Sequence, residues 1–250
     1  MLDFSGQRIL VAGGSSGIGL ATAELAAELG ADVTIASRSR ERVEAACRSC
    51  AHGLRGAVLD LADDAAVARF FELDEPWHHI VVTGSQVSMA AVRDLPLSSA
   101  LDAVDSKFWG FYHVARHARI HSGGSLGVVA GFLSTRPAAG RALMGAINAA
   151  LESLVRGLAL ELKPVRVNAV SPAVVDTSMW DSMEPSVREA MFERLRASYP
   201  AGCVGQPLDI ARQLLLLAAT PYATGTIVTL DGGASCLLYT SPSPRDQRGS

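Results

Sequence analysis

Several features that mark protein classes are scarce in this chain. It carries 4 cysteines in 250 residues: Cys47, Cys50, Cys203 and Cys236. That is too few and too scattered for a disulfide framework, so a reducing, cytoplasmic location is the expectation. An excess of positive charge is also missing. Lys and Arg total 22 against 25 Asp and Glu, a net charge of −3, and no basic run or stripe occurs. Binding to a phosphate backbone needs such a stripe, so nucleic acid is not an expected partner. The apolar stretches look too short or too polar to span a bilayer, so no membrane partner is expected. Residues 1–10 (MLDFSGQRIL) lack the basic and long apolar regions of a secretory signal.

What is present is core-forming sequence. Apolar residues make up 49% of the chain and charged residues 19%. Short β-branched runs alternate with longer Ala/Leu-rich stretches. Strands are predicted at 8–12, 32–36, 54–59, 79–83, 125–130, 165–170 and 226–230. Helices are predicted at 17–29, 40–50, 63–72, 98–121, 140–162 and 207–219. Such alternation implies an α/β fold with a doubly wound parallel sheet of about seven strands and helices on both faces. One domain is expected over residues 1–235. Residues 176–206 interrupt the pattern with Met179, Trp180, Met183, Tyr199 and a predicted short helix at 185–198. That insertion is expected to form a lid over a ligand, its apolar residues lining a substrate pocket or packing on the sheet. Asp176 and Asp181 are expected to orient a substrate there. Residues 236–250, rich in Ser, Pro and Arg, have no period and are expected to be a disordered, non-native tail.

Between the first strand and first helix stands Gly13-Gly14-Ser15-Ser16-Gly17-Ile18-Gly19. Glycines there allow close backbone approach to a pyrophosphate, and the helix N-terminus that follows favours negative charge. The strand–turn–helix context marks a Rossmann-type dinucleotide site. The end of the second strand then discriminates between cofactors. A site selective for NAD places an acid there for the ribose 2′-hydroxyl. This chain reads Ser37-Arg38-Ser39-Arg40. An acid would repel a 2′-phosphate, whereas an Arg fork pairs with one, so NADP(H) is expected over NAD(H).

These motifs together resemble the short-chain dehydrogenase/reductase family, from about residue 2 to residue 235. The glycine turn at 13–19 is similar to the family's glycine motif. Asp60-Leu61 resembles the pair at the adenine ring. Arg166-Val167-Asn168-Ala169-Val170-Ser171-Pro172 resembles the strand leading to the nicotinamide, and Asp231-Gly232-Gly233 the terminal-strand signature. The resemblance implies that Pro172 begins a cofactor-binding segment in which the Val175 backbone and the Thr177 hydroxyl hold the carboxamide. It implies a small-molecule substrate and a homotetramer or dimer built on the helices at 98–121 and 140–162 and the last strand.

The family's Asn–Ser–Tyr–Lys tetrad is not matched. Aligned by local context, its four positions carry Lys107, Gly131, Met144 and Asn148. Val82-Thr83-Gly84-Ser85 replaces the supporting Asn-Asn-Ala-Gly motif, leaving Gly84 beside the cofactor. No Tyr-x-x-x-Lys occurs anywhere in the chain. Three functions stay open: a reductase with altered residues, a catalytically inactive NADP(H)-binding sensor or partner-binding protein, and other chemistry such as isomerisation or elimination. In the first, Lys107 restores a cation near the nicotinamide ribose or acts as an acid, and Asn148 bonds the ribose. Ser134, Thr135 or Arg136 then replaces the missing serine as an oxyanion partner, with Arg141 a weaker candidate. A carbonyl, an imine or an activated C=C would be the group reduced. No metal is expected. His113, His117 and His121 share a predicted helix face with no carboxylate in the same motif, and Cys47, Cys50 and His52 lack a second ligand pair. His78 and His79 open a buried strand and read as structural.

Overall fold

The computed structural model describes residues 2–84 and 89–237. Ser85 and residues 238–250 of the expected tail lie outside the described residues. Ala234–Cys236 form a closing 3-10 turn.

The strands read as continuous apolar runs because both sheet faces are covered. In β1 (Arg8–Ala12) only the first residue is not buried, and every residue of β6 (Arg166–Pro172) is buried. The remaining strands are β2 (Asp32–Ser37), β3 (Arg55–Val58), β4 (Trp77–Val82), β5 (Ile120–Val129) and β7 (Ile227–Leu230). They form one seven-stranded sheet in the order β3-β2-β1-β4-β5-β6-β7, with every pairing parallel. The winding reverses between β1 and β4, which opens a crevice at the carboxyl ends of the strands.

Helices pack on both faces. Val67 and Phe71 of α3 (Asp64–Glu72), Ala103 of α4 (Leu97–Val104), Phe111 of α5 (Gly110–His117) and Leu151 of α6 (Ala142–Glu161) bury against one face. Ala23 of α1 (Gly17–Glu28), Val43 of α2 (Arg40–Ser49) and Leu215 of α8 (Pro207–Ala219) bury against the other. The last helix, α7 (Pro185–Ser198), belongs to the insertion. Buried Arg166 closes the end of α8: its Nη1 donates to Leu217 O at 2.7 Å and Thr220 O at 2.9 Å. A helix C-terminus leaves such carbonyls without intrahelical partners.

Two expectations require correction. The helix predicted at 98–121 is broken into α4, a π-helical turn at Asp105–Trp109, and α5, which stops at His117. Ala118 is extended and β5 begins at Ile120. The Arg119 carbonyl accepts from Trp77 N at 2.8 Å, so pairing with β4 outweighs helix continuation. His121 therefore leaves the helix face of His113 and His117 and packs its ring beside His78, 4.5 Å between centroids. Secondly, α6 is long and apolar enough to cross a membrane by length and composition. It serves instead as a core helix, with Ile147, Leu151 and Val155 buried in the sheet's main cluster.

Candidate active site

A cleft of about 640 Å³ follows the carboxyl ends of the strands. The β1–α1 turn forms its floor, with Gly13, Ser15, Ser16, Gly17, Ile18 and Gly19 all lining it. Gly13 has φ +90°, and a Cβ there would sit 2.2 Å from Gly84 N, so only glycine lets this turn close on the end of β4. Ser15 and Ser37 join the turn to the end of β2 through a 3.0 Å hydroxyl–hydroxyl bond. Ser37, Arg38, Asp60, Leu61 and Gly84 line the same cleft.

Arg42 lines the cleft too, one turn into α2 and four residues after Arg38. Sequence reasoning missed it, although the i,i+4 spacing from Arg38 was a usable signal.

Toward β6 the cleft is lined by Pro172, Val175 and Thr177. The Thr177 hydroxyl is buried and has no hydrogen-bond partner among the described residues. A buried hydroxyl without a partner is costly, and a ligand amide would satisfy it. The Val175 carbonyl accepts the Trp180 indole N–H at 2.9 Å, leaving its second lone pair for another donor.

The four tetrad positions meet at the centre of the cleft. Lys107 projects from the π-helical turn, whose defining bond runs from Gly110 N–H to Asp105 O. Single π turns often occur at functional sites because they re-aim one side chain within a helix. Lys107 Nζ donates to Asn148 Oδ1 at 2.7 Å and to Ala130 O at 2.9 Å. No third partner for its ammonium occurs among the described residues. Burial away from any carboxylate pushes the Lys107 pKa down to about 8. Relative to the family pattern, Asn and Lys have exchanged places between α6 and the π turn.

Gly131 follows from that exchange. Its backbone is extended, a conformation any residue adopts. A Cβ on it, however, would lie 2.6 Å from Asn148 Nδ2. The amide that grips Lys107 thus fills the space a serine side chain would need. Met144, at the tyrosine position, is buried at 4% exposure and presents a thioether to the cleft.

Other expected site residues lie elsewhere. The Ser134 hydroxyl turns away from the cleft and donates to Glu152 Oε1 at 2.6 Å. The Ser171 hydroxyl donates to the same oxygen at 2.9 Å. Ser134 is consequently held in a structural hydrogen-bond group rather than aimed at an oxyanion. Thr135 donates to Phe132 O at 3.2 Å, and neither it nor Arg136 lines the cleft. Asp176 and Asp181 are likewise outside the cleft lining. Both pair with Arg188 of α7, at 2.5 and 2.8 Å. His117 Nε2 lies 2.8 Å from Asp64 of α3, and His113 Nδ1 lies 2.9 Å from Leu61 O. No carboxylate stands in the same sequence motif as these histidines; Asp64 reaches them only in space. Met179, Trp180 and Tyr199 do line the cleft, whereas Met183 does not.

A glycine turn at a doubly wound switch point, opening on a long cleft, defines a nucleotide-binding α/β protein. Residues 12–235 match the family model described as enoyl-(acyl carrier protein) reductase. A short-chain dehydrogenase/reductase of Stachybotrys chlorohalonatus is 31% identical over 251 residues, covering 94% of this chain and 99% of that protein. The chain belongs to the short-chain dehydrogenase/reductase family. Among solved structures, a small-chain dehydrogenase in complex with NADPH is 32% identical, with a TM-score of 0.79 over 92% of this chain and 99% of that one. An NADPH-bound short-chain oxidoreductase of Pseudomonas aeruginosa, described as containing an atypical catalytic center, is 28% identical. Its TM-score is 0.86 over 95% of this chain and 100% of that one.

Proposed function

We propose that the protein is an NADP(H)-dependent oxidoreductase that reduces a small carbonyl, imine or activated C=C substrate through a non-standard active site. The Lys107–Asn148 pair at the centre of the cleft carries this reading. The residues present fit the cofactor: the turn at 13–19 receives the pyrophosphate, and the Thr177 hydroxyl, without a partner among the described residues, receives the carboxamide. Absence of an acid at the end of β2, with Arg38 and Arg42 beside it, supports a 2′-phosphate. The NADPH-bound relatives support the same choice.

When bound, the nicotinamide supplies a hydride acceptor or donor. The chain supplies the rest. Asn148 and Ala130 O hold the Lys107 ammonium, and its remaining N–H is free for a ribose hydroxyl or a substrate heteroatom. With a pKa of about 8, Lys107 gives up a proton to a developing alkoxide or amide anion more readily than an ordinary lysine. Trp180, Met144 and Phe132 keep water from the reacting centre.

A second reading, an inactive NADP(H)-binding sensor, is favoured by one observation: no hydroxyl stands at Gly131 or Met144. One experiment separates the two. NADPH is titrated by fluorescence with NADH as control, and the complex is then offered a panel of ketones, imines and enones. Tight NADPH binding with turnover supports the enzyme. Tight binding without turnover of any substrate leaves the sensor, and no binding overturns both.

The homo-oligomer and the cytoplasmic location belong to the same proposal. Leu101, Trp109 and Tyr112 leave apolar surface on the α4–α5 face, and light scattering of the purified chain checks its assembly. All four cysteines are free thiols, in keeping with a reducing compartment.

A further inference from the structure

Beyond Lys107 and Asn148, the substrate half of the cleft is mostly apolar. Phe132, Leu133, Met144, Met179, Trp180 and Leu195 line it. The one carboxylate in the lining is Asp60, which stands just beyond β3 among the residues that bracket the adenosine end. Arg141, immediately before α6, is the guanidinium in this apolar half. It is half-buried and takes part in no salt bridge among the described residues. Among the described residues its side chain lies against the Met89 sulfur. A thioether is a weak acceptor, and a guanidinium carries five donors. A guanidinium set among apolar walls offers a ligand carboxylate a bidentate, charge-assisted pair.

Resting on the reading of this cleft as a reductase site, we propose that Arg141 is a specificity residue and that the substrate is an apolar molecule bearing a carboxylate. The planar fork of Arg141 donates in parallel to both carboxylate oxygens, and the Met, Phe and Leu side chains receive the apolar body. Lys107 lies deeper, beside Asn148, and is left for the reducible group. Arg38 and Arg42 stand at the other end and do not compete for this anion. The substrate class is thus an oxo-acid or unsaturated acid rather than a neutral ketone or a sugar.

The test compares matched acids and amides. Straight-chain acids of four to twelve carbons and phenylpyruvate are titrated against their amides by calorimetry, on the full chain, with and without NADPH. Matched alkyl phosphates form a third arm, to separate a carboxylate from a phosphate ester. At least one acid is expected to bind about 10-fold or more tightly than its amide, in line with a charge-assisted pair. Arg141→Gln is expected to abolish that preference without changing NADPH affinity, and Arg141→Lys to retain part of it. If no acid outbinds its amide, or if the preference survives in Arg141→Gln, the proposal fails. Tighter binding of alkyl phosphates than of acids also overturns the carboxylate assignment. Loss of NADPH binding in the wild-type protein would instead count against the reductase reading, so the two failures are distinguishable.

Discussion

At the scale of single residues, the proposed chemistry rests on Lys107 and Asn148. Lys107 is protonated below about pH 8 and neutral above it. A proton donor or ribose-binding cation acts in its charged form, so the rate of reduction is expected to fall tenfold per pH unit above about 8. In Lys107→Met that limb should vanish and kcat should drop by about 10²-fold or more, a usual range for a lost general acid. Steady-state rates from pH 6 to 10 measure both effects. The exchange of Asn and Lys gives a second expectation. Asn148→Lys alone sets a second ammonium against Lys107, now 2.7 Å from the amide oxygen, and should weaken both stability and NADPH binding. Adding Lys107→Asn to the same chain should recover them. A double-mutant cycle on thermal stability is expected to return a coupling of about 1 kcal/mol or more. Gly131 belongs to this unit, because its missing side chain leaves room for the Asn148 amide.

At the scale of elements, the π turn and the insertion after β6 set the geometry. The π turn at Asp105–Trp109 sits between two helices of eight residues each, and its extra residue per turn brings Lys107 over the cleft. Apolar periodicity in the sequence runs on through this stretch as one helix, so neither the π turn nor the end of α5 is legible there. The end is set by β4, whose first residue pairs with Arg119 O. The insertion is tied together by Arg188 of α7, which bridges Asp176 and Asp181 on the segment after β6. Arg188→Ala should release α7 from that segment while leaving the sheet intact. The expected outcome is faster proteolytic cleavage within residues 176–198 and a several-fold rise in substrate KM, with an unchanged circular dichroism spectrum. Unchanged protease sensitivity would mean that the apolar contacts of Phe192 and Tyr199 hold α7 in place without the ion pairs.

At the scale of the whole molecule, stability should depend on pH through His79. This buried ring lies 2.8 Å from Ser125 Oγ and 2.7 Å from Gln7 Oε1. A neutral tautomer meets both: Nε2–H donates to Gln7, and Nδ1 accepts the Ser125 hydroxyl. Burial lowers its pKa from the ordinary 6.5 to about 4. Between those values the unfolded chain binds a proton that the folded chain refuses, so stability falls as pH falls through that window. From pH 7 to pH 5 the loss is expected to be about 2 kcal/mol. Denaturant melts at the two pH values test it, and His79→Gln should flatten the difference.

The sequence by itself determined the parallel α/β fold, because strand and helix periods are local and each apolar run has to be covered. It also marked the glycine turn, the residues after β2 and the four altered tetrad positions, since these are read from residue type and order along the chain. Tertiary structure alone decided which side chains meet. It turned Ser134 toward Glu152, gave Asp176 and Asp181 to Arg188, brought Asp64 to the histidines and set Lys107 against Asn148. Those partners are 12 to 53 residues apart in the chain, apart from the Asp181–Arg188 separation of 7. Hydrogen bonds and ion pairs depend on distances of a few ångströms, and no local period in a sequence encodes a distance between residues so far apart along the chain.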